Sequence, residues 1–450
     1  MNDCTPSVDG YHNGVIPVDK NRVIEILTSE IERTTGCTDP VSICLAVSRA
    51  MHELGCLPNK VVVTVSPNLY QNAINVGIPG TEVRGMFWAA ALGAVIDNSE
   101  AGLALLDAID ETRMTAAQVL IEQDRVHVEY DKNISDALYI YAQVFAGQDR
   151  ATTTIRHDYS HIVEVTHNDD IVSYLDAQDE TAHKDGVTHR PVREWIDLIQ
   201  ATDPADLAFL VEAAQINKEA ALEGLRDKHM RLGPALSQSS TATSPALVLA
   251  TAAQTMTAAA SEARMRGLKV PVMAVTGSGN QGITDLLGVL SVAEGLGVDE
   301  DTLAHALAIG TLITIYVKSL TRRLTSFCGA AVAAATGVAA ATAYMLGGSY
   351  LDMEHAMQSV VGTFAGMLCD GAKESCAYKI GAAIPAAVQF AHLALEGAYI
   401  PAGDGIVGNT IEETFHYLGH LDSPAMTETD AFMLQTIQEI QKARPHASAV

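Results

Sequence analysis

Apolar residues fall at helical spacing near the start of the chain. Val23, Ile24, Leu27 and Ile31 share one face, predicting a helix over residues 21–35, and Gly36 is a plausible stop. A second helix is expected at once. Asp39 is a suitable N-cap, Pro40 fits the first helical position, and residues 41–54 carry the apolar face. At Lys60 the period changes to two. Residues 61–65 read as a strand, and so do 126–130, 138–144, 152–157 and 162–166. Ala-rich residues 85–106 read as helical, with a break at Asp97-Asn98. Beyond Arg190 the helical period dominates, over 192–202, 204–226, 244–266, 283–296, 300–317, 329–346, 353–368, 375–396 and 410–418, with one strand-like exception at 270–275.

This pattern predicts an α+β fold. Residues 20–59 and 190–450 form a large, mainly helical part, and residues 60–189 an inserted α/β region with a mainly antiparallel sheet. Residues 1–19 are polar, with Pro6, Gly10, Gly14 and Pro17, and read as a mobile tail. They hold no apolar signal segment, and seven cysteines in such a chain point to a reducing cytoplasm. The run at 330–346 is about half alanine, with Thr336, Gly337 and Thr342 inside it, and is shorter than the ~20 residues a membrane span needs. It reads as a closely packed core helix, so no membrane association is expected. The 28 basic against 54 acidic residues give a charge of −26, which argues against nucleic acid and anionic membranes as partners.

The candidate chemistry lies in cysteine placement. Cys328 precedes Gly329, and Cys369 and Cys376 flank an Asp370-Gly371 turn signal inside a helical stretch. In an unbroken helix Cys369 and Cys376 would lie ~10 Å apart along the axis. A break at Asp370-Gly371 would bring them together. Structural zinc wants four closed ligands at short spacings, whereas these spacings are 369 − 328 = 41 and 376 − 369 = 7. An electron-transfer cluster wants four cysteines. Three thiolates leave one iron open, able to act as a Lewis acid. The residues alone leave these readings open beside ordinary buried thiols. Cys37, just before the second helix, has a setting that favours thiolate, and reads as a fourth ligand, a general base or a plain turn residue.

Gly277-Ser278-Gly279-Asn280-Gln281-Gly282 follows a strand and opens a helix, which matches a dinucleotide fingerprint. No second strand ending in an acid follows, so NAD is not expected. A glycine-rich loop at a helix start still suits an anion such as a substrate carboxylate. Residues 66–72 and 77–81 are polar and loop-like, fit either to orient a small ligand or to satisfy a turn.

Together these segments resemble the L-cysteine desulfidase family, single-chain relatives of the α subunit of iron–sulfur L-serine dehydratases. The matching motifs are Gly36-Cys37-Thr38-Asp39-Pro40, Ser66-Pro67-Asn68-Leu69 with Pro79-Gly80-Thr81, 277–283, Cys328, and Cys369-Asp370-Gly371-Ala372 through Cys376. The resemblance implies a [4Fe–4S] cluster held by Cys328, Cys369 and Cys376 with one open iron. It implies conversion of L-cysteine to pyruvate, ammonia and sulfide without pyridoxal phosphate, by the helical part. L-serine dehydration and a non-catalytic redox sensor are the alternatives. Cys37 is expected as base or labile ligand. Lys379 is the second candidate base, or a partner for the substrate carboxylate. Asn68, Asn72, Thr81, Ser278, Gly279 and Asn280 are expected around the small amino acid. No cysteine follows Cys376 to cap the open iron. A homodimer is a possible assembly.

Overall fold

A computed structural model of the protein describes residues 20–175, 186–239 and 243–442. The expected tail, residues 1–19, lies outside them. The first helix, α1 (Lys20–Ser29), is shorter than the apolar spacing predicts. Ile31–Thr35 is a strand, β1. Its β-branched Ile31, Thr34 and Thr35 pair antiparallel with a segment some 240 positions away, so tertiary pairing overrides helical spacing. Gly36, at φ +84°, ends that strand rather than a helix.

The second helix, α2 (Thr38–Leu54), is capped by Cys37 instead of Asp39, which lies in the first turn. It buries its apolar side against the sheet, with Val41, Leu45 and Val47 in a core shared with Val61, Val63 and Ile140. Strand β2 (Lys60–Val65) leads into α3 (Pro67–Ala73), so the loop-like polar segment is a short helix with proline at its start. Next come α4 (Met86–Gly93), a 3-10 stretch Ser99–Ala108 and α5 (Glu111–Glu122). Strands β3 (Val126–Tyr130), β4 (Tyr139–Ala146), β5 (Asp149–Arg156), β6 (Ile162–His167) and β7 (Asp170–Tyr174) complete the sheet. Its order is β3-β2-β4-β5-β6-β7. Only β2–β3 is parallel, because α3 to α5 provide a crossover while the later strands join by tight turns.

The helical body holds α6 (Val192–Gln200), α7 (Ala208–Arg226), α8 (Leu232–Ser239) and α9 (Pro245–Arg266). Strand β8 (Pro271–Val275) is the partner of β1. Beyond it lie α10 (Gly279–Gly282), a π turn Ile283–Leu287, α11 (Gly288–Leu296) and α12 (Glu300–Ser319). A second π turn, Ala330–Ala334, runs into α13 (Ala335–Met345), followed by α14 (Tyr350–Phe364), α15 (Ser375–Leu395), α16 (Ile411–His420) and α17 (Thr427–Lys442). The alanine run is a core helix, as its composition predicts. A Cβ on Gly337 would stand 2.3 Å from the Gly310 carbonyl, so α12 and α13 approach backbone to backbone. Among the described residues, α12 alone is long and apolar enough to cross a membrane, and 83% of its apolar window is buried inside the protein.

Candidate functional site

Two remote segments first meet edge to edge. Phe327 and Leu368 form an antiparallel bridge. The Cys328 amide donates to Met367 O at 2.7 Å and the Cys369 amide to Ser326 O at 2.7 Å. Cys328 and Cys369 are thereby locked as neighbours, 41 positions apart. The helix then breaks at Asp370-Gly371, as the turn signal predicts. Gly371 has φ +91°, and a Cβ there would lie 2.5 Å from Gln71 O, so only glycine fits. Gln71 Nε2 donates back to Cys369 O at 3.1 Å, tying the turn to α3. The turn feeds α15, whose first residues carry Cys376, with its thiol 3.7 Å from Gly371 O.

The three thiols face one another electrostatically. Burial, then Cys376, raises the Cys328 pKa to about 11. Burial, then Cys328 and Cys376, raises Cys369 to about 12. Such a group ionises when a metal centre supplies positive charge. Among the described residues, no three His, Cys, Asp or Glu side chains close round a single ion. Three buried thiols that act on one another are a donor set of the kind a polynuclear iron–sulfur cluster takes. Lys379 stands over them. Its Nζ donates to Leu368 O at 2.7 Å and to the Asp370 carboxylate, which also pairs with Lys373 at 2.7 Å. Burial pulls the Lys379 pKa down, but the Asp370 hydrogen bond and the nearby Cys328 outweigh it, and the net shift is upward. Lys379 is held as an ammonium, a state that suits carboxylate pairing better than proton abstraction.

Cys37 reaches the same place from the other side. A Cβ on Gly36 would meet Pro79 at 2.3 Å, so the chain turns tightly there. Cys37 is buried with Val76 and Met265, and Ala372 and Cys376 pack against that group. Its thiol donates to Asp39 Oδ2 at 3.2 Å. Asp39 Oδ1 accepts from Asn72 Nδ2 and from Tyr159 OH, each at 3.3 Å. Burial first, and Asp39 second, push the Cys37 pKa well above its ordinary value, against the pull of Arg264. The helix terminus therefore does not yield a resting thiolate, because desolvation outweighs the dipole.

The glycine-rich loop fills the space between. Gly277, at φ +73°, leaves only 2.7 Å between a Cβ and the Tyr159 ring, and a Cβ on Gly282 would collide with Met273 O. Ser278 Oγ caps the Gln281 amide at 3.4 Å. Asn280 accepts from Ser261 at 3.3 Å and contacts Met265 Sδ at 3.5 Å. Gly279 lies on the Arg264 guanidinium, 2.5 Å from a Cβ to Nε, and Gln281 reaches Gly329 beside Cys328. Arg264 is 2% exposed, donates Nε to Gly36 O at 3.0 Å, and forms no ion pair among the described residues.

The structure thus brings Cys37, Asn72, Gly279, Asn280, Cys328, Cys369, Cys376 and Lys379 together, with Ser278 as the loop's cap. Asn68 is one turn of α3 away, and its amide is taken by Asp430 at 3.2 Å. Thr81 spends its hydroxyl in its own turn, donating to Ile78 O at 2.8 Å. Sequence reading missed Asp39 as a hydrogen-bonding partner, together with Gln71, Tyr159 and Arg264. Asp39 stood inside a quoted motif and Gln71 in the polar segment 66–72; Tyr159 and Arg264 carried no local signal. Beside the turn, a cavity of about 240 Å³ opens between α3 and α17, lined by Gln71, Asp370, Gly371, Lys373, Met433 and Ile437.

An α+β protein that gathers three thiols, a fourth cysteine and a glycine-rich loop around one point is the class that fold and site define. Residues 100–435 match the family model described as serine dehydratase alpha chain. The chain is 48% identical over 420 residues to a UPF0597 protein of Methanocella arvoryzae, covering 93% of this chain and 99% of the relative. It is 32% identical over 426 residues to one of Alkaliphilus oremlandii, covering 94% and 99%. A third, of Oleidesulfovibrio alaskensis, is 35% identical over 419 residues, covering 92% and 97%. The chain belongs to the serine dehydratase alpha chain family, and is in general terms a lyase-like enzyme acting on a small amino acid.

Proposed function

We propose that this protein eliminates the β-substituent of a small L-amino acid at an iron–sulfur site, with L-cysteine as substrate. The products are pyruvate, ammonia and hydrogen sulfide, with one water consumed in hydrolysis of the aminoacrylate. The observation that carries the reading is the convergence of Cys328, Cys369 and Cys376 at the Asp370-Gly371 break, against Cys37 and the glycine-rich loop. Cys328, Cys369 and Cys376 would hold a [4Fe–4S] cluster, whose open iron supplies Lewis acidity toward the departing sulfur. The chain's own residues do the rest. Arg264 and the loop amides at Gly279 and Asn280 bind the substrate carboxylate, a role that suits a buried guanidinium without an ion-pair partner. Lys379 and Asp370 set the charge around the thiols. Cys37 takes the α-proton after passing its own to Asp39, which already accepts its hydrogen bond. The thiol chemistry fits a reducing cytoplasm.

L-serine is the second reading, favoured by the family's description. Anaerobic reconstitution with iron and sulfide, followed by pyruvate and sulfide assays on both amino acids, decides between them. We expect about four irons per chain, a broad visible absorbance and faster turnover of cysteine. Cys328→Ser should lose most of the iron. Pyruvate from neither substrate by an iron-loaded protein would sink the proposal.

A further inference from the structure

One buried carboxyl lies outside the chemistry above. Asp285 sits in the π turn Ile283–Leu287 and is fully buried. Neither of its carboxyl oxygens has a well-formed hydrogen-bond partner, and the buried hydroxyl of Thr311, its one hydrogen-bonding neighbour, has no other. The surroundings are oxygen-rich. Thr311 faces the carboxyl from α12. A Cβ on Gly310 would stand 2.6 Å from Asp285 Oδ1 and 3.5 Å from Gly337 O, so that carbonyl borders the same point. The second π turn, Ala330–Ala334, packs against the first. π turns wind more widely than α-helix and recur at functional sites.

A buried carboxyl of this kind needs a neutralising partner. A proton would serve one oxygen and leave the other dependent on Thr311 alone. A monovalent cation matches the charge of one carboxylate and accepts hydroxyl and carbonyl oxygens together. A divalent ion is ill-suited, since burial and Thr311 are the influences on Asp285 and no second carboxylate acts on it. We propose that Asp285 and Thr311, beside the Gly337 carbonyl, form a site for a dehydrated monovalent cation, sodium or potassium, within the helical body. The ion ties the first π turn, which follows the glycine-rich loop, to α12 and α13.

The test compares thermal unfolding of the full chain in sodium, potassium and choline chloride at equal ionic strength. Crystals soaked in a thallium(I) salt supply a direct readout. The expected result is a Tm about 3 °C or more higher in sodium or potassium than in choline, and an anomalous peak beside Asp285. Asp285→Asn and Thr311→Val should each abolish the difference between salts. Asn is isosteric with a protonated Asp. A wild type indifferent to the cation, with no thallium peak at Asp285, overturns the proposal. So does a cation effect that survives in both variants.

Discussion

At the scale of single residues, the site is governed by burial more than by backbone dipoles. Cys37 caps α2, yet its thiol is held protonated by desolvation and by Asp39. Cys37→Ala should therefore lower turnover about 100-fold or more while iron content stays unchanged, measured on the reconstituted protein. Loss of iron with that substitution would make Cys37 a ligand instead. A second residue tests the electrostatics away from the thiols. Glu32 faces a cleft with Asp158 and Arg323, and burial first, then Asp158, raises its pKa from 4.5 to about 7 against the pull of Arg323. The folded state thus holds this proton more tightly than the unfolded one. Its contribution to stability is fully present below pH 4.5 and is lost as pH rises from 4.5 to about 7. Glu32→Gln should flatten the fall in Tm across that window; an unchanged slope would refute the assignment.

At the scale of elements, the thiols meet because two pins hold the segments that carry them. The first pin is the break between α14 and α15. Gly371→Ala would force a left-handed residue against Gln71 O, costing about 1–3 kcal/mol. Iron incorporation should fall along with the urea midpoint. The second pin is the C-terminal segment. Asp422 is fully buried and accepts from the Arg322 amide at 3.0 Å, Arg322 Nε at 3.2 Å and the Ser326 amide at 2.8 Å. Asp430 at the start of α17 pairs with Arg322 at 3.0 Å and takes the Asn68 amide. This network holds the segment before Cys328 and ties it to α3. Asp422→Asn should destabilise the fold by about 2–4 kcal/mol, read from urea unfolding. A loss within ±0.5 kcal/mol would mean the network is dispensable. Little of this was legible in sequence: α17 and Asp422 carried no motif, and hydrogen bonds across 100 positions leave no periodic trace.

At the scale of the molecule, a charge of −26 spread over the surface repels itself. Raising choline chloride from ~20 to ~200 mM should raise Tm modestly by screening alone, since the Debye length then falls below 10 Å. A Tm insensitive to choline chloride would show that the surface charges are already neutralised. The local alphabet of the fold was readable directly. Residues 61–65 are all β-branched and residues 126–130 alternate, as strands do, the helices beyond Arg190 keep their apolar faces, and Asp370-Gly371 marks a break. Those features depend on neighbours one to four positions apart, which a sequence displays. Two of the misreadings involve distant partners. Residues 31–35 carry helical spacing but pair with β8, and the polar residues 67–73 fold as α3 under α17. The same division holds for the site. Sequence by itself supplied the cysteines, the glycine-rich loop and their order. Only the tertiary structure decided that Cys328 and Cys369 lie side by side, that Cys37 rests protonated against Asp39, and that Arg264 lies under the loop. Proximity and desolvation are properties of the packed chain, and no local pattern encodes them.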